Sequence, residues 1–236
     1  TALRICALTE RRADYSRLKA VLQRMMDAPS IDLQLIVTGQ HLVPSLGNTV
    51  EDIERDGFPI FAKIPVYQGE VDSGAEMSRV LSRALAGITD ALEQMEPDLV
   101  FVSVDLGCHL AGAIAGAHMN IPVAHFDGGQ VTGSIDEFLR HATTKFSHIH
   151  FVCSELSAKR VIAMGEEERY VFNVGDPALD IILNAPRMDT KQLAREVGCD
   201  SGGNLILIVQ HTVTTEADQA ADQVMTTLEA VKRFDG

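Results

Sequence analysis

Acidic and histidine side chains gather in the middle of this chain in a pattern that chemistry can use. Asp105 follows the apolar run Leu99–Val104, and Asp127 follows the run Ile121–His125 in the string His125-Phe126-Asp127-Gly128-Gly129. In an extended segment residues two apart point the same way, so His125 and Asp127 share a face. Gly128 and Gly129 let the backbone turn sharply or come close to a ligand. Ser134-Ile135-Asp136-Glu137 then carries the S-x-x-E pattern of a capping box, which gives Glu137 a structural duty and leaves Asp136 without one. Arg140 lies one helical turn on, within reach of Asp136. Carboxylates crowded at one sheet edge raise one another's pKa, so one can hold a proton while another accepts one. That suits proton abstraction and return at a sugar carbon; the bland alternative is a set of strand-end Asp residues that only cap helices.

Two further places could meet a ligand. The first apolar run leads into Thr9-Glu10-Arg11-Arg12-Ala13-Asp14-Tyr15-Ser16, where an Arg beside a helix N-terminus can hold a phosphate or a nucleoside edge. A solvated turn capped by Asp14 or Ser16 is the competing reading, and no G-x-G-x-x-G fingerprint is present. His211 directly follows the run Asn204–Val209, which places it best of the histidines to face a cleft. Six of the eight His lie between His109 and His150. None has an H-E-x-x-H or comparable spacing, so packed or hydrogen-bonded histidines are expected and no metal. Cys6, Cys108, Cys153 and Cys199 show no CxxC spacing and are expected to be reduced thiols in a cytoplasmic setting.

The elements that must position these groups are legible in the hydrophobic periodicity. Leu3–Leu8, Ile31–Val37, Ile60–Val66, Leu99–Val104, Ile121–His125, His148–Cys153 and Tyr170–Val174 are short apolar runs that predict strands. Between them, Met77, Val80, Leu81, Ala84, Leu85, Ile88, Leu92 and Met95 recur every three or four residues, which predicts a long helix closed by Pro97. Further helices are expected at Ser16–Asp27, His109–Met119, Ser134–Phe146, Ser154–Gly165 and Pro177–Leu183. Alternating strands and helices with continuously apolar strands predict an α/β, doubly wound parallel sheet. Ligands of such sheets sit outside the carboxyl ends of the strands, where Asp105 and Asp127 fall. Residues 1–184 are expected to form this domain. Residues 185–236 read as a polar, Pro-containing linker, a short helix, a strand at Asn204–Val209 and a helix from about Thr215 to Arg233. This is the opening strand–helix unit of a second domain whose remainder is missing, so the chain is expected to be truncated.

Composition excludes several classes. With 20 Lys+Arg against 33 Asp+Glu the formal net charge is −13, which argues against wrapping nucleic acid but not against an anionic small ligand held by a few amides and one or two Arg. The 46% hydrophobic and 22% charged fractions are those of a globular protein. No apolar stretch approaches the roughly 18 residues that span a bilayer, and the N-terminus is no signal peptide. A soluble, cytoplasmic protein without a membrane partner is expected.

These segments together resemble the UDP-N-acetylglucosamine 2-epimerase family, especially its hydrolysing branch, which makes N-acetylmannosamine for sialic-acid-type sugars. The matching stretches are Arg12–Ser16 (RADYS), Gly39–Thr49 (GQHL…GNT), His125–Glu137 (HFDGGQVTGSIDE), Arg140–Val152, Val174–Asp180 (VGDPALD) and Gln210–Thr215 (QHTVTT). They keep the family's order along nearly the whole chain. The resemblance implies two Rossmann-like domains of glycosyltransferase-B type with a UDP-sugar between them, no cofactor, and a homo-oligomer, dimer or tetramer, with the long helix around Met77–Met95 as a candidate surface. It implies that UDP leaves by elimination after a carboxylate removes the C2 proton, and that water then adds to the 2-acetamidoglucal; the non-hydrolysing branch re-adds UDP instead. Carried over position by position, it makes Asp105 and Asp127 the acid/base pair, has Asp136 act on the water or sugar hydroxyls, and puts His211 near the diphosphate. Arg12 and Ser16 fall on the nucleotide, and His41, Gly128, Gly129, Ser134 and Arg140 on the substrate. Most uracil and diphosphate contacts are expected from the missing domain, so these 236 residues alone are expected to be inactive. Three departures stand out. Where the family usually has Gly-Asp-Arg and an acid two residues later, this chain reads Val104-Asp105-Leu106-Gly107-Cys108. The usual Glu before Gly-Gly is the shorter Asp127, and the Pro after His211 is Thr212. They point to altered sugar preference, weakened chemistry, or a UDP-sugar-binding protein that has lost catalysis.

Overall fold

The computed structural model of the chain describes residues 2–68, 73–199, 206–211 and 214–233. In order, the first unit, Thr1–Leu183, holds β1 (Leu3–Thr9), α1 (Arg12–Asp27), β2 (Ile31–Thr38), α2 (Val50–Arg55), β3 (Ile60–Ile64), α3 (Gly74–Met95), β4 (Leu99–Ser103), α4 (Gly107–His118), β5 (Val123–Phe126), α5 (Ile135–Lys145), β6 (Ile149–Val152), α6 (Glu155–Ala163), β7 (Val171–Asn173) and α7 (Pro177–Asn184), the last residue of which belongs to the next unit. All seven strands pair in parallel in the order β3-β2-β1-β4-β5-β6-β7. The order reverses between β1 and β4, as in a Rossmann-like sheet.

Alternation along the strands divides the core in two. Cys6, Leu8, Val100 and Val102 face α3 and α4, joining Val80, Ala84, Ile88 and Ala111 in one cluster. Ile5, Ala7 and Phe101 face α1 and α2, joining Tyr15, Leu18, Leu22 and Ile53 in the other. Both faces are covered, which is why the central strand β4 reads as a nearly continuous apolar run. The periodic side chains of α3 are spent on this packing: Val80, Ala84, Ile88 and Leu92 are buried, while its outward residues are Ser78, Ser82, Asp90 and Glu93. Of its apolar stripe Met77 is largely exposed, and the rest of the stripe is turned toward the core.

Most element boundaries fall within a few residues of those expected. The differences have local causes. Helix α1 begins at Arg12 rather than Ser16, because Asp14, in its first turn, accepts the Glu10 and Arg11 amides at 2.8 and 2.9 Å and so satisfies two donors left free at the helix start. Helix α2 has only six residues, too few for its periodicity to register.

The second unit, Asn184–Gly236, contains α8 (Thr190–Val197) and α9 (Ala220–Val231). A reciprocal box starts α8: Gln192 N–H donates to Asp189 Oδ1 at 2.8 Å and Asp189 N–H to Gln192 Oε1 at 3.2 Å. The strand expected at Asn204–Val209 is not formed over residues 206–209; Asn204 and Leu205 lie outside the described residues. A strand needs a neighbour to pair its backbone groups, and no other strand occurs among the described residues of this unit. Helix α9 starts five residues later than expected, after a 3-10 turn at Thr214–Gln219.

Candidate functional site

Asp105 and Asp127 emerge from the carboxyl ends of neighbouring strands β4 and β5. Between β4 and Asp105 stands Val104, in the left-handed region at φ +55°; Asp127 is there too, at φ +69°. Asp tolerates this region through its short polar side chain, whereas a β-branched Val does not. The Val104 and Asp127 amides are tied to the next strands, donating to Phe126 O at 2.9 Å and Phe151 O at 2.8 Å.

The carboxylates are joined by cations rather than crowded together. Arg140 of α5, 4% exposed in its side chain, pairs with Asp105 and donates its other terminal nitrogen to Gln130 O at 3.0 Å. The Gln130 amide donates in turn to Asp127 Oδ1. Arg17 donates to Asp127 Oδ2 at 2.9 Å and to Asp176 Oδ2 at 3.0 Å. One continuous chain, Asp105–Arg140–Gln130–Asp127–Arg17–Asp176, therefore runs along the carboxyl edge of the sheet. Burial works to lower the Arg17 pKa, but Asp127 and Asp176 outweigh it and raise it, so the guanidinium stays charged. Cys153, at the end of β6, has its thiol pushed up by burial and by Asp127, and it stays protonated there.

The other expected site residues are placed differently. Asp136 does not meet Arg140; it accepts from Ser134 Oγ at 3.2 Å, at the start of α5. The capping box there is not formed, because Glu137 accepts the Thr132 and Gly133 amides, both at 2.9 Å, and closes the preceding loop instead. Gly128 and Gly129 are buried, and the space beside them is filled by protein. A Cβ on Gly128 would lie 2.9 Å from Thr144 Oγ1, and one on Gly129 2.4 Å from Ser157 O. Their bareness lets the Asp127 loop pack against α5 and α6 rather than leaving room for a ligand. His41 is fully buried, its ring nitrogens 2.8 Å from Thr9 Oγ1 and 2.7 Å from Thr49 Oγ1, so it offers no surface to a substrate. Arg12 and Ser16 line a groove of about 700 Å³ between α1 and α2, with Asp52, Arg55 and Ile181. Arg17, about 100° further round α1 than Ser16, faces the acids instead. His211 is exposed in the second unit, and Thr212 lies outside the described residues.

Behind the strand ends lies a buried polar network. Glu10, buried, accepts the Cys108 amide at 2.9 Å in the first turn of α4; burial raises its pKa. Asp14 meets His109 Nε2 at 2.7 Å. Burial works to raise the Asp14 carboxyl, but His109 and the Glu10 and Arg11 amides outweigh it and hold it below the usual range. His125 Nε2 lies 3.1 Å from Val104 O, and burial pushes its pKa down to about 3. Leu106 and Cys108, at the positions where an Arg and an acid were expected, are buried. Among the described residues no group of three His, Cys, Asp or Glu is placed to hold a metal, and no helix is long and apolar enough to cross a membrane.

The sequence reading missed Arg17, Gln130, Asp176 and Glu10. Asp176 had a signal in its position after β7 and before Pro177. Arg17 had only its place one helical turn beyond Ala13, which no periodicity argument singles out.

Carboxylates and arginines gather here at the carboxyl edge of a doubly wound, Rossmann-like α/β sheet, the edge outside which ligands of such sheets sit. The model of the UDP-N-acetylglucosamine 2-epimerase family matches residues 23–235. The chain belongs to that family. It is 38% identical, over 96% of its length and 60% of the relative's, to the UDP-N,N'-diacetylbacillosamine 2-epimerase (hydrolyzing) of Legionella pneumophila. It is 34% identical to the GDP/UDP-N,N'-diacetylbacillosamine 2-epimerase (hydrolyzing) of Campylobacter jejuni, over 95% of its length and 58% of that relative's. The fold is shared with the UDP-GlcNAc 2-epimerase of Neisseria meningitidis bound to UDP-GlcNAc, with a TM-score of 0.79 at 18% identity over 98% of this chain and 63% of that one. The chain thus spans about 60% of the length of these curated relatives.

Proposed function

We propose that this protein is a hydrolysing nucleotide-sugar 2-epimerase acting on a UDP-linked 2-acetamido sugar, with a diacetamido-trideoxy sugar ahead of N-acetylglucosamine because both relatives above are named for the former. The observation that carries the reading is the pair of carboxylates, Asp105 and Asp127, at adjacent strand ends and linked through Arg140 and Gln130. One carboxylate takes the C2 proton while the C1–O bond breaks and UDP leaves with the bonding electrons, giving a 2-acetamidoglucal. Water then adds its oxygen to C1 as a proton returns to C2 on the opposite face, releasing the free 2-epimerised sugar. Arg140 and Arg17 fix the two carboxylates in place, and pre-set geometry of this kind lowers the barrier. Asp136 and Ser134 act on the water or sugar hydroxyls, Arg12 and Ser16 hold the nucleotide, and His211 serves the diphosphate. A cytoplasmic homo-oligomer belongs to the same proposal.

The test is to supply UDP-N,N'-diacetylbacillosamine and UDP-N-acetylglucosamine to the full-length protein and follow UDP and sugar. Release of UDP with a free sugar supports the hydrolysing reading; a new UDP-sugar without free sugar supports the non-hydrolysing one. A second reading, a UDP-sugar-binding protein without chemistry, draws on Asp127 being held by both Arg17 and Gln130, so that each of its carboxylate oxygens already accepts from a protein donor. It predicts thermal protection by UDP with no turnover of either sugar.

A further inference from the structure

Val104 is the feature that the acid–arginine chain leaves unexplained. A β-branched residue at φ +55° is strained, and strain of this kind persists only where its surroundings over-determine it. Three hydrogen bonds do so here. The Val104 amide donates to Phe126 O at 2.9 Å, and the preceding amide, Ser103 N–H, donates to His109 Nδ1 at 2.9 Å. On the far side Val104 O lies 3.1 Å from His125 Nε2, which therefore carries the ring proton.

The tautomer of His109 follows from the same geometry. Its Nδ1 is an acceptor from Ser103, so the ring proton of the neutral imidazole sits on Nε2 and is donated to Asp14 Oδ2 at 2.7 Å. Asp14 is itself fixed by the Glu10, Arg11 and Tyr15 amides, at 2.8, 2.9 and 2.9 Å. His109 and Asp14 are both buried. The first turn of α1 is thus connected, through Asp14 and His109, to the backbone that carries Asp105.

We propose that His109 and Asp14 are positioning residues for Asp105: through the Ser103 amide they hold Val104 in the left-handed conformation from which Asp105 is presented to Arg140. The proposal rests on the reading of Asp105 as a catalytic acid. Neither residue touches substrate. Their effect is felt in where the carboxylate stands, and a displacement of about 1 Å can lower a rate about a hundredfold.

The test is a double-mutant cycle in the full-length protein between His109→Ala and Val104→Gly. Glycine adopts this backbone conformation without strain, so it needs no clamp. With UDP-N,N'-diacetylbacillosamine and UDP-N-acetylglucosamine as probes, His109→Ala is expected to lower kcat about 10- to 100-fold with KM changed less than about threefold. Adding Val104→Gly is expected to restore most of the loss. His109→Asn, whose side-chain oxygen can accept the Ser103 amide, should fall between wild type and His109→Ala, and it replaces His109→Ala in the cycle should the latter fail to fold. Melting gives a readout independent of turnover. Val104 is buried, so Val104→Gly gives up side-chain burial as well as strain, and the readout is the difference between backgrounds: its Tm shift should be more favourable by about 2–4 °C in the wild-type background than once the clamp is removed. Equal Tm shifts in both backgrounds, or a kcat loss that Val104→Gly leaves untouched, would overturn the proposal. Coupled melting shifts in a protein that turns over neither sugar would sustain the clamp and sink the catalytic reading instead.

Discussion

Replacing Gly129 by Ala separates two accounts of the paired glycines, and the structure gives the size of the effect. Gly129 sits at φ +80°, and a Cβ there would lie 2.4 Å from Ser157 O and 3.0 Å from the Ser157 carbonyl carbon. Gly133, on the same connection, is at φ +69° with nothing within 4 Å of an added Cβ. Both substitutions force a side chain into the left-handed region, at about 1–2 kcal/mol. Only Gly129→Ala must also push backbone atoms of α6 aside, an overpacking of about 1–3 kcal/mol. The expected destabilisation is therefore about 2–5 kcal/mol for Gly129→Ala and about 1–2 kcal/mol for Gly133→Ala. Urea unfolding followed by circular dichroism reads the difference as a lower midpoint at unchanged slope. Asp127 lies two residues before Gly129, so Gly129→Ala should also lower turnover more than Gly133→Ala. If the two variants unfold at the same urea concentration while Gly129→Ala alone loses affinity for UDP-sugar, the glycines are a ligand cradle and the packing argument fails.

Further outcomes follow from the same geometry. Asp105→Asn keeps an acceptor for Arg140 but cannot exchange a proton, so kcat should fall about 10²- to 10⁴-fold while circular dichroism still reports a folded chain. Arg17→Met keeps the apolar stem and removes the charge that ties Asp127 to Asp176. It should lower kcat about tenfold or more, and a gain in rate would mean that Arg17 restrains the site. Stability should also depend on pH through His125, which is neutral in the fold and whose pKa falls from 6.5 to about 3. Between those values the unfolded chain binds the proton and the folded one does not, so this contribution, present above pH 6.5, is lost progressively as pH falls toward 3. Comparing urea midpoints at pH 7 and pH 4.5 should show a smaller drop in His125→Gln than in wild type; equal drops would remove His125 as the cause.

How much of this was legible in the sequence depended on the distance over which each signal acts. The doubly wound sheet was, because both of its faces are covered and Leu99–Val104 and Ile31–Val37 read as short, largely apolar runs between helical periodicities. Asp105 and Asp127 were placed at strand ends by that pattern alone. What each carboxylate pairs with was not legible: Arg140 is four residues from Asp136 yet pairs with Asp105, 35 residues away, because helix α5 turns that side chain toward β4. Arg17 meets Asp127 across 110 residues, a contact set by sheet order and by nothing local. Gly128 and Gly129 were read as letting the backbone turn sharply or come close to a ligand, and only the position of α6 shows that Ser157 takes the space beside Gly129. The strand expected at Asn204–Val209 was apolar enough, but hydrophobicity does not supply a pairing partner.

The central claim is that Asp105 and Asp127 move a proton at C2 of a UDP-linked acetamido sugar. Its most direct test is proton NMR of UDP-N,N'-diacetylbacillosamine and of UDP-N-acetylglucosamine turned over in D2O by the full-length protein, with Asp105→Asn alongside. The account predicts free UDP, a free 2-epimerised sugar carrying deuterium at C2, and neither product with Asp105→Asn. A free sugar that keeps its original proton at C2, or wild-type turnover by Asp105→Asn, would contradict it.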